Sequence, residues 1–281
     1  MDRTEHTIRK LLAALPAPGY DIGVRTDGSM YRVEAAPASR ILRMLPFLEH
    51  RNAQGAHIYL RPTGESCYTL LDDLTAATLS RLTVEGYAPA AVIETSPGSF
   101  QAWLRHTQPF PNELGTLAAK TLAKQLNADR SAADWRRFGR APGFTNRKPQ
   151  HRTQAGLYPF AHLRSSTGTV FPEADAFRAR LLTLQQKAET ERAAVRLSFA
   201  TRPFSRYAAP VTLSRFRSSP NYHGRPAAAD MAFCIAAIAQ GWSESDIAAV
   251  LSREYLSRNP SRTIQAAYIR RTLTKAMRWV A

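Results

Sequence analysis

Three short stretches of this 281-residue sequence carry side chains that could do chemistry. The first is YTLLDDLT, in which Asp72 and Asp73 end an apolar run. Adjacent carboxylates repel one another unless a cation or solvent stands between them. Neighbouring side chains of a strand point to opposite faces, so both acids reach one cation only if the strand ends or bulges there. The plainer alternative is a strand end with Asp73 opening a helix. The second stretch is SAADWRRFGRAPGFTNRKP, where Asp134 precedes Arg136, Arg137, Arg140, Arg147 and Lys148, interleaved with Trp135, Phe138 and Phe144. Arginine forks and lysine point charges suit phosphate, and aromatic faces suit bases or sugars. Gly139 and Gly143 permit close backbone approach. A solvated basic loop over core aromatics accounts for the same residues. The third is VIETSPGSFQAWLRH, two β-rich runs around a Pro-Gly-Ser turn, with Glu94, Ser96, Gly98 and Gln101 crowded at its tip. A hairpin that only closes a sheet does not need that polar variety.

The elements that position these residues follow from periodicity and turn chemistry. Thr4 to Leu15 repeats apolar residues at helical spacing. YDIGVRT and MYRVEAA flank Asp-Gly-Ser and read as a hairpin. Ser39 to His50 is amphipathic and reads as a helix, and HIYLRP and SCYTLLDD read as strands around Thr-Gly-Glu. Leu74 to Glu85 follows as a helix with Thr75 as its cap. Asn112 to Leu126 is another, after the AAVIETS and FQAWLRH hairpin. Trp103 alternates with Gln101, so it shares that face of its strand, and core packing is the favoured role.

The second half changes character. Ala176 to Leu197 is a long charged helical run without Gly or Pro, and Pro203, Pro210, Pro220 and Pro226 punctuate a connector. Three helical runs follow, AAADMAFCIAAIAQ, SESDIAAVLSREYL and TIQAAYIRRTLTKAMRWV. Ser243 with Asp246 resembles a capping box. Arg271, Lys275 and Arg278 fall on one helical face beside Arg270, placed to contact phosphate without reading sequence.

Composition narrows the partners. The formal charge is +16, which attracts polyanions: nucleic acid first, an anionic membrane surface second. No stretch is apolar for long enough to span a bilayer, and the N-terminus has no signal-peptide core, so the expected location is cytoplasmic. Cys67 and Cys234 match no zinc spacing and read as reduced thiols. His57 and His106 sit at strand ends and read as structural. There is no His-hydrophobic-His triplet of the relaxase kind and no P-loop.

LLDDL, ETSPGSFQAWL and the Ala132–Pro149 run together resemble the RepB-type primases of IncQ-like broad-host-range plasmids, members of the archaeo-eukaryotic primase superfamily. The resemblance covers at least His57 to Pro149 and extends more weakly through the C-terminal helices. It implies an α+β fold: an RRM-like catalytic domain over residues 1–172, a linking helix and connector over 173–208, and a small all-α domain over 209–281 for template and origin recognition. It implies metal-dependent primer synthesis on single-stranded DNA at an origin initiation site. Asp72, Asp73 and Asp134 would hold Mg²⁺ or Mn²⁺, an all-oxygen set suited to a hard cation. Much of the superfamily spaces its first two acids by one residue, whereas here they are adjacent. Ser96 and the N–H groups around Gly98 would grip the nucleotide's phosphates. Gln101 stands where a histidine is often found and carries no charge, so Arg137, Arg140 and Lys148 would neutralise the phosphates. Arg61, Asn146, Arg147, Arg270, Arg271, Lys275 and Arg278 are the expected DNA contacts, although Arg61 could as well face solvent. Nucleoside triphosphates and template DNA are the expected partners of a monomer, with a plasmid replicative helicase as a further candidate. The competing reading is a non-catalytic origin-binding protein. A general single-strand binder would explain the charge but not the aspartates.

Overall fold

The computed structural model describes residues 2–26, 28–126, 128, 133–200, 211–255 and 261–280. The chain divides into two compact units, Met1–Gln186 and Lys187–Ala281. The first contains α1 (Arg3–Ala14), β1 (Tyr20–Thr26), β2 (Ser29–Ala36), α2 (Ala38–Ala53), β3 (His57–Pro62), β4 (Ser66–Leu74), α3 (Ala76–Val84), β5 (Ala91–Ser96), β6 (Ser99–Phe110), α4 (Asn112–Leu126), the two-residue β7 (Gly139–Arg140) and β8 (His162–Ser165). The expected helix over Asn112 to Leu126 has those bounds. Thr75 caps α3 as its sequence suggests, its hydroxyl accepting from the Thr78 N–H at 3.2 Å.

The strands form two four-stranded antiparallel sheets, in the orders β2-β1-β3-β7 and β4-β6-β5-β8. β4, α3 and β5 make a split βαβ unit into which β6 inserts, the heart of an RRM-like sheet. The β4-β6-β5-β8 sheet is buried on both faces. Leu70, Ile93 and Trp103 join the core built from α1, α2 and the first sheet, with Ile22, Val24, Ile58 and Leu60. Leu71, Leu74, Ala102 and Leu104 join the core under α3 and α4, with Leu114, Ala118 and Leu122. Period-2 alternation thus sends successive residues to different cores.

The helix expected over residues 176–197 is α5 (Ala174–Ala200), which crosses the boundary between the units. Its first turns bury Phe177 and Leu181 in the α3–α4 core. Within the second unit, α6 (Leu213–Arg217), α7 (Pro226–Ala239), α8 (Glu244–Tyr255) and α9 (Arg262–Val280) enclose Phe233, Ile247, Leu251, Ile269 and Leu273. Buried Asp230 ties three of these helices together, accepting from Arg217 Nε at 2.9 Å and from the Tyr268 hydroxyl at 2.8 Å. Ser243 caps α8, its hydroxyl accepting from the Asp246 N–H at 3.1 Å. Cys67 and Cys234 are free thiols. Pro203 and Pro210 lie outside the described residues, and no described helix is long and apolar enough to cross a membrane.

Candidate active site

The acidic pair sits on a β-bulge. Leu71 pairs with Ala102 and Leu74 with Phe100, so three steps on β4 are matched by two on β6. The extra residue lets Leu71 and Leu74 enter the same core, although an odd spacing on a regular strand would send them to opposite faces. Asp73 absorbs the distortion at φ 55°, in the left-handed region that Asp and Asn enter more readily than other non-glycine residues. The bulge removes the alternation that would otherwise separate the two carboxylates.

Each carboxylate has a different environment. Asp72, with a side chain 12% exposed, accepts from Gln101 Nε2 at 2.8 Å through Oδ1 and from Arg137 at 2.9 Å through Oδ2. The Asp73 N–H also donates to Asp72 Oδ1, at 3.0 Å. The Asp73 carboxylate is exposed and makes no hydrogen bond among the described residues. Gln101 is buried, and its other end accepts from the Arg140 N–H at 2.8 Å. A carboxylate only accepts and a backbone N–H only donates, so both partners fix the same amide orientation. Gln101 therefore links β4 to β7, across the two sheets. Trp103, on the same face, packs against Gly139, where a Cβ would lie 2.7 Å from its ring.

Arg140 is the second fixed point. It is 4% exposed, donates to His57 Nδ1 at 3.1 Å and to the Tyr59 hydroxyl at 3.3 Å, and lies 5.1 Å from the Tyr59 ring centroid. It has no carboxylate ion-pair partner among the described residues, and burial pulls its pKa down. The bond to His57 requires an acceptor nitrogen, so that ring is neutral with its proton on Nε2. Asp72, Asp73, Gln101, Arg137, Arg140 and Lys148 line one cleft of about 300 Å³. Its other walls come from Arg25, Met30, Tyr59, Thr95, Arg136 and Phe138. Arg25 and Tyr59 were legible only as strand residues. The register places Arg25 opposite His57 and Tyr59 opposite Arg140.

Other expected site residues are placed elsewhere. Asp134 does not join the acidic pair, and no cluster of three acids, histidines or cysteines occurs among the described residues. It lines a separate small cavity with Arg61 and Trp135. Its Oδ1 accepts from the Arg136 N–H at 2.8 Å, and the Arg136 guanidinium pairs with it at 3.2 Å. Burial opposes ionisation there, but the Arg136 bonds hold its pKa below the usual value. Arg61 is committed to the protein: it bonds Asp21 at 2.8 Å and the Arg136 carbonyl at 2.7 Å, and its guanidinium sits 4.6 Å from the Phe138 ring centroid. It braces the Asp134–Phe138 turn and is not free for DNA. Asn146 is buried, donates to the Thr95 carbonyl at 2.8 Å and is structural. Arg147 donates to the Ala53 carbonyl at 3.3 Å and stacks on Tyr158. Ser96 is 4% exposed, and its neighbour Thr95 lines the cleft instead. Glu94 stabilises the hairpin turn by accepting from the Gly98 N–H at 3.1 Å while pairing with Arg164. Arg270, Arg271, Lys275 and Arg278 are all exposed on α9.

Residues 9–190 match the family model described as the RepB DNA-primase N-terminal domain. The chain belongs to the RepB primase family. It is 34% identical to Mobilization protein A of Escherichia coli across 98% of its own length, and 32% identical to a DNA primase of Acidithiobacillus ferrooxidans across 53%. It spans only 41% and 42% of those two relatives. Among solved structures it resembles primase RepB′, with TM-score 0.65 and 30% identity over 98% of this chain and 94% of that one. It also resembles the catalytic domain of primase RepB′ in complex with initiator DNA, with TM-score 0.63 and 36% identity over 67% of this chain and 98% of that one. The family model covers the mixed α/β unit, and the likeness to primase RepB′ extends over the helices that follow it.

Proposed function

We propose that this chain is a DNA primase that joins nucleoside triphosphates on a single-stranded template and releases pyrophosphate. One observation carries the reading: a bulge-borne carboxylate pair and a buried guanidinium without a carboxylate partner among the described residues line the same cleft, spanned by Gln101. A buried cation without a counter-charge is costly, and a polyphosphate entering the cleft would supply that counter-charge. Arg140 thus binds the triphosphate as a fixed fork, positioned by His57 and Tyr59. Arg137 and Lys148, on the exposed side, add charge to its outer oxygens.

Asp72 and Asp73 fit a hard divalent cation. Their donors are oxygens only, Asp73 is open to solvent, and Asp72 already holds positive charge in Arg137. Mg²⁺ or Mn²⁺ bound there would supply Lewis acidity toward the primer 3′-hydroxyl and the reacting phosphate. Gln101 holds Asp72 in place without competing for the cation, because its amide carries no charge. In this reading Asp134 shapes the turn that presents Arg136 and Arg137.

The RepB′ catalytic domain was solved with initiator DNA. We therefore assign initiator binding to the Met1–Gln186 unit, in place of the C-terminal helices that the sequence suggested. The exposed bases of α9 then contribute phosphate contacts without selecting a sequence. The test is incorporation of labelled nucleotide on single-stranded circles with and without the initiator. Template-dependent product with pyrophosphate release supports the reading, and binding without incorporation supports the non-catalytic alternative.

A further inference from the structure

From Trp135 to Pro172 the chain contains no Asp or Glu, while Arg147, Lys148 and Arg152 lie close together. Residues 143–161 fold as a ribbon. The Gly143 N–H donates to the Ala161 carbonyl, the Ala161 N–H to the Phe144 carbonyl and the Asn146 N–H to the Pro159 carbonyl, each at 2.8 Å. The tip closes on itself: the Thr153 N–H donates to the Leu157 carbonyl at 2.8 Å, and the Leu157 N–H to the Thr153 hydroxyl at 3.1 Å. The base is anchored by Asn52, whose side chain accepts from the Thr145 N–H at 2.8 Å and donates to the Thr145 carbonyl at 3.0 Å.

Beyond that base the ribbon offers an unusual surface. Leu157 is 68% exposed and Phe160 51% exposed; Arg152 is exposed and donates to the carbonyl of Gly156, next to Leu157, at 3.4 Å, and Lys148 is exposed at the start of the ribbon. Lys148 also lines the cleft, so the ribbon starts at the cleft's wall. Such a surface suits a partner that is a polyanion along one edge and apolar along another. A single nucleic-acid strand is that kind of ligand, with phosphates for the bases and ring faces for the apolar side chains. An acidic protein would satisfy the charges but has no need of continuity with a phosphate-binding cleft.

We propose that this ribbon guides the single-stranded DNA template beside the cleft, with Arg152 on phosphate and Leu157 and Phe160 against bases. The choice of DNA over an acidic protein, and the strand's identity as template, rest on the reading of the cleft as a phosphate site. The test uses the full chain and a fluorescent oligodeoxythymidylate of about 20 nucleotides. The double variant Arg152→Gln/Leu157→Ser should bind it about tenfold more weakly than the wild type. The slope of log affinity against log salt should become shallower by about 0.7, as expected for one lost phosphate contact on a single strand. Apparent nucleotide affinity at saturating template should not change. A second measurement needs no variant: photocrosslinking of the wild type to iododeoxyuridine-bearing DNA should map to Phe160. Equal oligonucleotide affinities with crosslinks confined to residues outside 143–161 overturn the proposal and leave the ribbon to a protein partner. If neither protein incorporates nucleotide, the primase reading fails while the difference in DNA affinity still decides the ribbon.

Discussion

Acidification should destabilise the N-terminal unit through one buried histidine. His106, on β6, is 2% exposed and packed among Phe110, Phe171 and Phe177, with ring centroids 4.2, 5.3 and 6.0 Å away. Its Nε2 shares a 2.7 Å hydrogen bond with the Thr69 hydroxyl, and its Nδ1 has no hydrogen-bond partner among the described residues. Burial pushes its pKa down to about 3. In the unfolded chain the ring titrates near 6.5, so below that pH the unfolded state binds a proton that the fold excludes. Stability is therefore lost as pH falls through about 6.5, and the loss continues until about pH 3. Between about pH 7 and pH 5 the difference in proton binding is worth roughly 2 kcal/mol, a sizeable part of the net stability of an ordinary domain. Urea unfolding of the full chain, followed by tryptophan fluorescence at both pH values, measures it. His106→Gln keeps a hydrogen-bonding group near Thr69 but cannot titrate. It should be less stable than the wild type at neutral pH and should lose about 2 kcal/mol less on acidification. If wild type and variant lose the same amount, His106 is not held neutral and the account of this core is wrong.

Other expectations concern the cleft. Arg140→Ala should raise the apparent nucleotide KM more than it weakens template binding, by roughly 1.5–3 kcal/mol for a lost charged hydrogen bond, as steady-state primer synthesis would measure. Lys148→Ala should act in the same direction but more weakly on nucleotide, because its exposed ammonium is better screened. Gln101→Glu keeps an acceptor for the Arg140 N–H but sets a carboxylate against Asp72. It should depress primer yield more than it lowers the melting temperature, and equal primer yields would remove Gln101 from the site. A fragment ending at Ala200 should keep initiator binding, measured by anisotropy, with a shallower salt dependence than the full chain if α9 contributes phosphate contacts.

Elements governed by local rules were legible in the sequence. The α4 bounds, the Thr75 cap, the Ser243 cap and the hairpin of β5 and β6 follow from periodicity and turn chemistry within a few residues. The bulge was legible as a condition: two adjacent acids can share a site only where alternation breaks, and the unequal spacing opposite β6 shows that it does break. What escaped depends on pairing across long sequence separations. Gln101 looked like a phosphate ligand because its partners, Asp72 and the Arg140 N–H, lie 29 and 39 residues away. Arg61 could not be told from a DNA contact until Asp21 and the Arg136 carbonyl were seen to occupy its donors. Asn146 likewise reads as a recognition residue in a basic run, but is buried against Thr95. Thr95 itself replaces Ser96 at the cleft because the ladder shifts register between Glu94 and Ser96.

The central claim is that Asp72 and Asp73 hold the cation required for nucleotide transfer. The direct test is primer synthesis by Asp72→Asn and Asp73→Asn on an initiator-bearing single-stranded circle, across a Mg²⁺ and Mn²⁺ titration, with DNA binding measured in parallel. Asparagine suits the left-handed backbone at position 73 at least as well as aspartate does, so that variant changes charge with little strain. The account predicts wild-type DNA affinity with primer synthesis abolished, or recovered only at much higher cation concentration. Primer synthesis at the wild-type rate and cation dependence in both single variants and in the double variant would contradict it.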